Sequence, residues 1–205
     1  MKTYNKNIFY FILIITLSSC STIYVPNKVN TPLFTNEGDM NASVNIGTSM
    51  FDIQGAYAFS EDMGLMVNGN AINSEDLNYG FIETGVGYFD SISKRGRVEI
   101  YGGGGMGNSD GELFSRFFVQ PAIGITGNIF DGSIAVRLSN VNFLESNENG
   151  FLIEPVLTGR LGYKALKFSA QAGVSLPISE TDIDFIPIIF NIGLHFDIGK
   201  MMKNF

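Results

Sequence analysis

The sequence has little of several residue types, and each shortage excludes a class of protein. Cys20 is the only cysteine in 205 residues, so no disulfide can form within the chain. Charged residues make up 16%, well below the roughly 25% of ordinary soluble domains, and tryptophan is absent. After Cys20, no apolar run approaches the roughly 18 residues of a membrane-spanning helix. A disulfide-stapled secreted domain and a helical membrane protein are therefore both excluded.

The few basic residues do not balance the acidic ones. The chain has 13 Lys and Arg against 20 Asp and Glu, for a formal net charge of −7. Such a balance argues against a nucleic-acid partner, because phosphates require a basic face. Glycine is instead abundant, at 24 residues, and aromatic residues reach 13%. A low-charge chain rich in glycine and aromatics, without a membrane helix, is typical of β-structure.

The N-terminal region has the layout of an export signal. Lys2 and Lys6 precede a run of apolar residues, and small residues follow that run. The tetrad Leu-Ser-Ser-Cys that ends at Cys20 resembles the lipobox of bacterial lipoproteins. This resemblance implies cleavage before Cys20 and acylation, including palmitate, of its thiol and of the new amino group. Residues 1–19 are thus predicted to be a lipoprotein signal peptide and residues 20–38 a lipidated linker.

From residue 39 onward, polar and apolar residues alternate with a period of two in one segment after another. This is the pattern of half-buried β-strands, and no segment keeps a helical period. The predicted strands lie at 40–47, 51–59, 64–72, 79–89, 97–106, 116–126, 133–143, 151–162, 167–177 and 187–198. Strands of about 9–11 residues span a bilayer when tilted. We therefore expect an all-β fold, an antiparallel up-and-down transmembrane β-barrel over 39–199. About ten strands are predicted, with eight as the alternative count, followed by a periplasmic tail at 200–205.

The polar positions of the strands indicate which face of the sheet points outward. They hold mostly small uncharged residues, with isolated charges such as Asp52, Arg137 and Glu154. A water-facing exterior needs many Lys and Glu side chains, yet Lys167 is the only lysine within a predicted strand. We therefore expect the polar face to line the lumen and the apolar face to contact outer-membrane lipids. The opposite arrangement would give a lipid-tethered soluble barrel that carries an apolar ligand.

The connections between strands differ in charge between the two ends of the predicted barrel. Apart from the first, those at one end hold only acidic charges: Glu75, Asp76, Asp110, Glu112, Glu145, Glu148, Glu180, Asp182 and Asp184. The turns at the other end are tighter or mix both signs. Outer-membrane barrels place long loops outside and short turns in the periplasm. An even strand count then puts both termini at the periplasmic end, where acyl chains on Cys20 would enter the inner leaflet.

Two resemblances point to the outer membrane. Asn191, Gly193, Phe196 and Ile198 resemble the signal of barrels inserted by the outer-membrane barrel-assembly machinery, which implies that machinery as a partner during biogenesis. The chain also resembles uncharacterised outer-membrane β-barrel lipoproteins of the Bacteroidota. The motifs that carry this second resemblance are Thr-Pro-Leu-Phe at 31–34, Asn-Glu-Gly at 36–38, Tyr-Ala-Phe-Ser at 57–60, Tyr-Gly-Gly-Gly-Gly at 101–105, Arg-Leu-Ser at 137–139 and Leu-Gly-Tyr-Lys at 161–164. That family implies a barrel fold and carries no established activity.

Two groups of titratable residues are candidates for chemistry. Acidic loops can hold Ca²⁺ or Mg²⁺ through carboxylate oxygens, and the candidate ligands are Glu180, Asp182, Asp184, Asp110 and Glu112. His195, the only histidine, alternates onto the inner face. It is the one candidate acid–base residue for an enzyme acting on lipid A or on peptides. A histidine buried in the lumen is the simpler interpretation, and no catalytic residue is predicted.

Two further patterns concern the lumen. Arginines at 97, 137 and 160 share the inner face with glutamates at 83, 99 and 154, so paired charges would plug the lumen or narrow a small pore. The run 102–107 satisfies G-x-G-x-x-G as a string but opens no helix, which argues against a dinucleotide site. It instead indicates a strand that passes close to another backbone, such as residues 20–38 folded into the lumen.

Together these patterns predict a non-enzymatic, lipid-anchored outer-membrane β-barrel. Its expected role is structural or one of surface interaction through acidic extracellular loops. The predictions include no cofactor beyond the Ca²⁺ or Mg²⁺ named above and no nucleic-acid partner. The alternatives are a lipid-tethered periplasmic barrel that carries an apolar ligand, and a small-solute pore.

Overall fold

The computed structural model describes residues 23–202 apart from 76, 164, 179 and 182. The predicted signal peptide, Cys20 and Asp182 lie outside the described residues. The elements are β1 (Ile23–Tyr24), β2 (Met40–Gly47), β3 (Met50–Ala58), β4 (Met63–Asn73), β5 (Asn78–Ser91), β6 (Gly96–Ser109), β7 (Glu112–Ile125), β8 (Phe130–Phe143), β9 (Asn149–Tyr163), β10 (Leu166–Val174), β11 (Leu176–Pro177), β12 (Asp184–Phe185), β13 (Ile188–Asp197) and α1 (Ile198–Met202). Within the described ranges, no helix is long and apolar enough to cross a membrane.

Ten of the strands close into one antiparallel β-barrel. Strands β2 to β9 each pair with the next strand along the chain, β10 pairs with β13, and β13 pairs with β2 to close the ring. The up-and-down order and the count of ten confirm the prediction, and every barrel strand lies within a few residues of its predicted position. The short strand β11 pairs with β9, and β12 pairs in parallel with β1.

Side chains alternate between the lumen and the outside along each barrel strand. On β9, Glu154 and Thr158 point inward and are 0% and 2% exposed, whereas Leu157 and Leu161 point outward and are each 61% exposed. Because the side-chain period of a strand is two, one register fixes this facing along the whole strand. The structure thus confirms the predicted facing, with polar residues lining the lumen and apolar residues covering the exterior.

The outward-facing residues form an apolar band around the barrel. Among the outward positions of the ten barrel strands, the charged residue is Asp90, near the end of β5. Asparagines mark one edge of the band: Asn73, Asn78, Asn108, Asn142 and Asn149. Exposed aromatic residues lie near both edges: Phe51, Phe117, Phe151 and Phe190 at this edge, and Tyr57, Tyr88, Phe130, Tyr163 and Phe168 at the other. The run of strand from Phe151 to Leu161 rises about 26 Å along the barrel axis at a tilt of about 40°.

The connections at the two ends of the barrel are similar in length, with one exception. We call the end formed by residues 48–49, 74–77, 110–111, 144–148 and 175–187 the loop end, and the end formed by 59–62, 92–95, 126–129 and 164–165 the turn end. The predicted difference between long loops at one end and short turns at the other is therefore due to the connection 175–187. Strands β6 and β7 extend so far that only Asp110 and Gly111 join them, with φ of +50° and +96° in a tight turn.

Residues 24–34 run through the lumen, and we call this segment the plug. Every residue of the plug is buried. It begins at the loop end, where β1 pairs with β12, and reaches the turn end before β2 starts at Met40. Residues 20–38 were predicted to be a linker, and their folding into the lumen was one interpretation of the glycine run; residues 24–34 do lie in the lumen. The even strand count predicted both chain ends at one end of the barrel, and these ends lie outside the described residues. The plug adds one more crossing, which leaves Ile23 at the end opposite to α1.

Candidate functional site

Asn27 of the plug lies at the centre of a buried charge cluster. Its Nδ2 donates to Glu83 Oε1 at 2.9 Å, and its Oδ1 accepts from Arg116 Nη2 at 2.9 Å and Arg137 Nη1 at 2.8 Å. Arg116 forms an ion pair with Glu83, and Arg137 Nε lies 2.5 Å from Glu154 Oε2. These four charged side chains are at most 1% exposed. The two pairs balance in charge, so the barrel wall surrounds the Asn27 amide with a group of side chains that carries no net charge.

Aromatic residues seal the lumen between this cluster and the loop end. Tyr24 Oη donates to Glu154 Oε1 at 3.2 Å and accepts from Arg116 Nη1. The ring of Phe114 packs edge-on against Tyr24 and stacks with Phe81, at centroid distances of 6.4 and 5.3 Å. Arg116 also lies over the Phe81 ring, 4.4 Å from its centroid. Polar and aromatic contacts therefore act together to hold Tyr24, the first residue of the plug, in place.

Lys28 is anchored in the same way, on the opposite side of the plug from Arg116. Its Nζ donates to Asn45 Oδ1 at 2.7 Å and to Ser169 Oγ at 3.1 Å. The Lys28 N–H donates to Asp52 Oδ2 at 3.1 Å, and its carbonyl accepts from Gln54 Nε2 at 2.6 Å. Lys28 is 1% exposed, so Asn45 and Ser169 replace water around its Nζ, and Asp52 and Gln54 replace water at its backbone groups.

Farther along the plug, barrel side chains take the place of a neighbouring strand. The Val29 N–H donates to Gln171 Oε1 at 2.8 Å, and Gln171 Nε2 donates back to the Val29 carbonyl at 2.9 Å. Similar bonds run from Gln120 Nε2 to the Asn30 carbonyl (2.6 Å), from Arg160 Nη2 to the Thr31 carbonyl (2.6 Å) and from the Leu33 N–H to Glu99 Oε2 (2.9 Å). Buried backbone groups need such partners, which explains why so many inward positions are polar.

The turn end closes around Phe34 and a further ion pair, separate from the cluster at Asn27. Phe34 packs edge-on against Phe89 with ring centroids 5.4 Å apart, and Lys167 Nζ lies 2.6 Å from Asp131 Oδ1. His195 points inward here, is 7% exposed and lines a cleft of about 130 Å³. It faces Lys167 on β10 and Ser43 on β2 in the strand register. The histidine thus lies inside the barrel at the turn end, away from the apolar band.

The predicted cation ligands do not come together. Asp110 Oδ1 accepts from the Asn78 N–H at 2.8 Å, and Glu112 Oε1 accepts from the Ser146 N–H at 2.7 Å, so both order loops. Asp184 lies in β12 and Glu180 is exposed on the same connection. Within the described part of the chain, no three His, Cys, Asp or Glu side chains group as metal ligands.

The glycine run makes room for inward-facing rings. Gly103 and Gly105 point into the lumen, and a Cβ at either would lie within 3 Å of β5 atoms and of the Phe118 or Phe81 ring. The expected close approach is therefore present, but the approaching groups belong to strand β5 and to aromatic rings rather than to residues 20–38.

Sequence reasoning identified part of this arrangement. Alternation placed Glu83, Arg137 and Glu154 inward, and of the arginines at 97, 137 and 160, Arg137 forms an ion pair in the described structure. Arg97 instead donates to Thr35. Plug residues Asn27 and Lys28 were missed, because an extended segment without periodicity does not indicate which of its side chains make contacts.

Comparisons with known proteins do not identify a family for this chain. No protein-family model matches the chain, and searches of curated proteins and of solved structures found no match.

Proposed function

We propose that the chain is a non-enzymatic outer-membrane β-barrel, lipidated at Cys20, whose lumen is closed by its own plug. The observation that carries this proposal is the apolar band. Most of its leucines, isoleucines and phenylalanines are 40–65% exposed, for example Ile53 at 52%, Phe117 at 65% and Leu157 at 61%. Monomeric soluble proteins rarely expose apolar patches beyond a few hundred Å².

A lipid environment accounts for the band and for its edges. Outer-membrane barrels carry an outward apolar belt about 25 Å tall that aromatic girdles flank on both sides. The band here has about that height, aromatic residues near both edges and asparagines where it ends. In a soluble barrel, these positions would need charged side chains to keep the sheet in water.

The occupied lumen favours a structural or interaction role over transport. A carrier of apolar ligands needs an apolar cavity, whereas the lumen here is lined with polar residues and filled by the plug. A pore needs an open path, and the plug is held by hydrogen bonds along its whole length. His195 faces the lumen rather than lipid, so it cannot meet the acyl chains of a lipid A substrate.

The loop end is the surface on which we place the interaction. Exposed acidic residues occur on four of its connections: Glu75, Asp110, Glu145 and, on the longest one, Glu180. Acidic groups on a cell surface favour basic or cation-bridged partners.

Removal of the lipid tests whether the strands themselves hold the protein in the membrane. Residues 21–205 would be exported behind an ordinary, non-lipoprotein signal. We expect this form to stay in outer membranes through a carbonate wash and to shift in gel mobility on boiling. Release as a folded soluble protein would mean that the lipid alone anchors the chain, and would overturn the proposal.

A further inference from the structure

The amino-terminal side of the plug leaves the barrel at the loop end. Ile23 and Tyr24 pair with Asp184 and Phe185, which belong to the connection 175–187. Ser109 Oγ, at the loop end of β6, bonds to both the N–H and the carbonyl of Ile23, at 3.2 and 3.0 Å. The Ile186 N–H adds a bond of 3.0 Å to the Tyr24 carbonyl. Ile23 and Tyr24 are therefore fixed at the loop end by contacts with β6 and with the connection 175–187.

The other side of the plug emerges at the turn end. Phe34 packs there against Phe89, and the Gly38 N–H donates to the Ala58 carbonyl at 2.8 Å. Strand β2 then begins at Met40, and the barrel ends with β13 and α1 at this same end. The chain thus crosses the barrel once before its first barrel strand.

The distance along the chain fixes which end Cys20 can reach. Ile23 comes three positions after Cys20, and three extended steps of the chain span at most about 11 Å. Strand β9, with 15 residues, rises about 36 Å along the axis at a tilt of about 40°. The lumen is already filled by the plug. Cys20 therefore cannot return to the turn end, either through the barrel or around it.

We propose that the chain threads its own barrel, so that the acyl chains on Cys20 enter the membrane leaflet at the loop end. This inference rests on the proposed function, which supplies the membrane and the lipid. With the loops outside the cell, the anchor lies in the outer leaflet, opposite to the leaflet that the strand count alone would suggest. Anchor and acidic loops then share one surface, and the plug becomes a tether that connects the lipid to the turn end.

Epitope tags at three positions of the full chain test the threading. One tag is inserted between Ser21 and Thr22, one at Asn147 in the loop-end connection 144–148, and one at Lys94 in the turn-end connection 92–95. Antibody binding is measured on intact and on permeabilised cells. We expect the tag at Ser21 to be labelled on intact cells together with the tag at Asn147, and the tag at Lys94 only after permeabilisation. A tag at Ser21 that behaves like the tag at Lys94 would overturn the threading.

A second measurement separates this inference from the proposed function. The double variant Ile23→Cys/Asp184→Cys joins two residues that are direct neighbours in the β1–β12 pairing. We expect the purified protein to form this disulfide, with Ile23→Cys/Lys94→Cys as the control that does not. If the disulfide forms but no tag distinguishes the two ends, the membrane proposal fails while the threading stands. In the opposite case, the tags do distinguish the two ends, the tag at Ser21 is labelled like the tag at Lys94, and the disulfide does not form. That result would refute the threading alone.

Discussion

At the scale of single residues, the lumen is built from polar groups. Their burial is unfavourable when they are unpaired and is tolerated when they bond to one another. Asn27 uses both ends of its amide, and Glu83, Arg116, Arg137 and Glu154 surround it with two balanced ion pairs. Removing one partner leaves another buried without compensation, which costs more than the original bond contributed.

Asn27→Ala tests the centre of this cluster. The variant leaves one carboxylate oxygen and two guanidinium N–H groups with one partner fewer, so we expect a loss of about 1–3 kcal/mol in unfolding free energy. Asn36→Ala is the control, since Asn36 is exposed just beyond the plug, and it should change stability little. Urea titration followed by gel mobility measures both. Equal stability of the two variants would contradict the structural role of Asn27.

The ion pair between Arg116 and Glu83 is tested by a double-mutant cycle. Arg116→Met leaves the buried Glu83 carboxylate without this partner, and we expect the unfolding free energy to fall by about 3–5 kcal/mol. Arg116→Met combined with Glu83→Gln removes both charges, so the double variant should be more stable than Arg116→Met alone. Additive losses in the same urea titration would show that the two side chains are not coupled.

At the scale of elements, the barrel strands were predictable, whereas the plug was only suggested as one interpretation of the glycine run and its contacts were not predicted. Each barrel strand keeps a period of two over eight or more residues, and this local pattern fixes its type and facing. Residues 24–34 have no such period, because their conformation is set by side chains from strands far apart in the sequence. The exact ion pairs were also beyond prediction, since strand register across a barrel depends on contacts that one sequence does not display.

Gly103→Ala tests the meaning of the glycine run on β6. An added Cβ would lie 2.1 Å from the Thr84 carbonyl oxygen and 2.9 Å from the Phe118 ring, so the sheet must shift. We expect a loss of about 1–3 kcal/mol in unfolding free energy. Gly80→Ala on β5 is the control, because nothing lies within 4 Å of a Cβ there. If the two variants are equally stable, the glycines do not make room for the rings.

At the scale of the whole molecule, the barrel reverses the usual arrangement of a soluble protein. Its core is a polar, charge-paired plug and its surface is the apolar band. Hydrogen bonds from the plug reach several barrel strands, so the fold of the barrel and the closure of its lumen depend on each other.

Ile134→Arg and Asn142→Arg separate a membrane barrel from a soluble one. Both residues lie on β8 and point outward, Ile134 in the middle of the apolar band and Asn142 at its asparagine edge. In a bilayer, we expect Ile134→Arg to cost about 2–4 kcal/mol and Asn142→Arg about 0–1 kcal/mol. Unfolding of the barrel in phospholipid vesicles measures both. If the two variants lose the same unfolding free energy, the exterior of the barrel faces water.

The most direct measurement is the depth of the apolar band in a bilayer. Residues 21–205 contain no cysteine, so Leu157→Cys and Asn149→Cys each give one labelling site on β9 for an environment-sensitive fluorophore. In phospholipid vesicles, we predict that brominated acyl chains quench the label at Leu157 and that aqueous iodide quenches the label at Asn149. Quenching of the Leu157 label by iodide as strongly as the Asn149 label would contradict a membrane-spanning barrel.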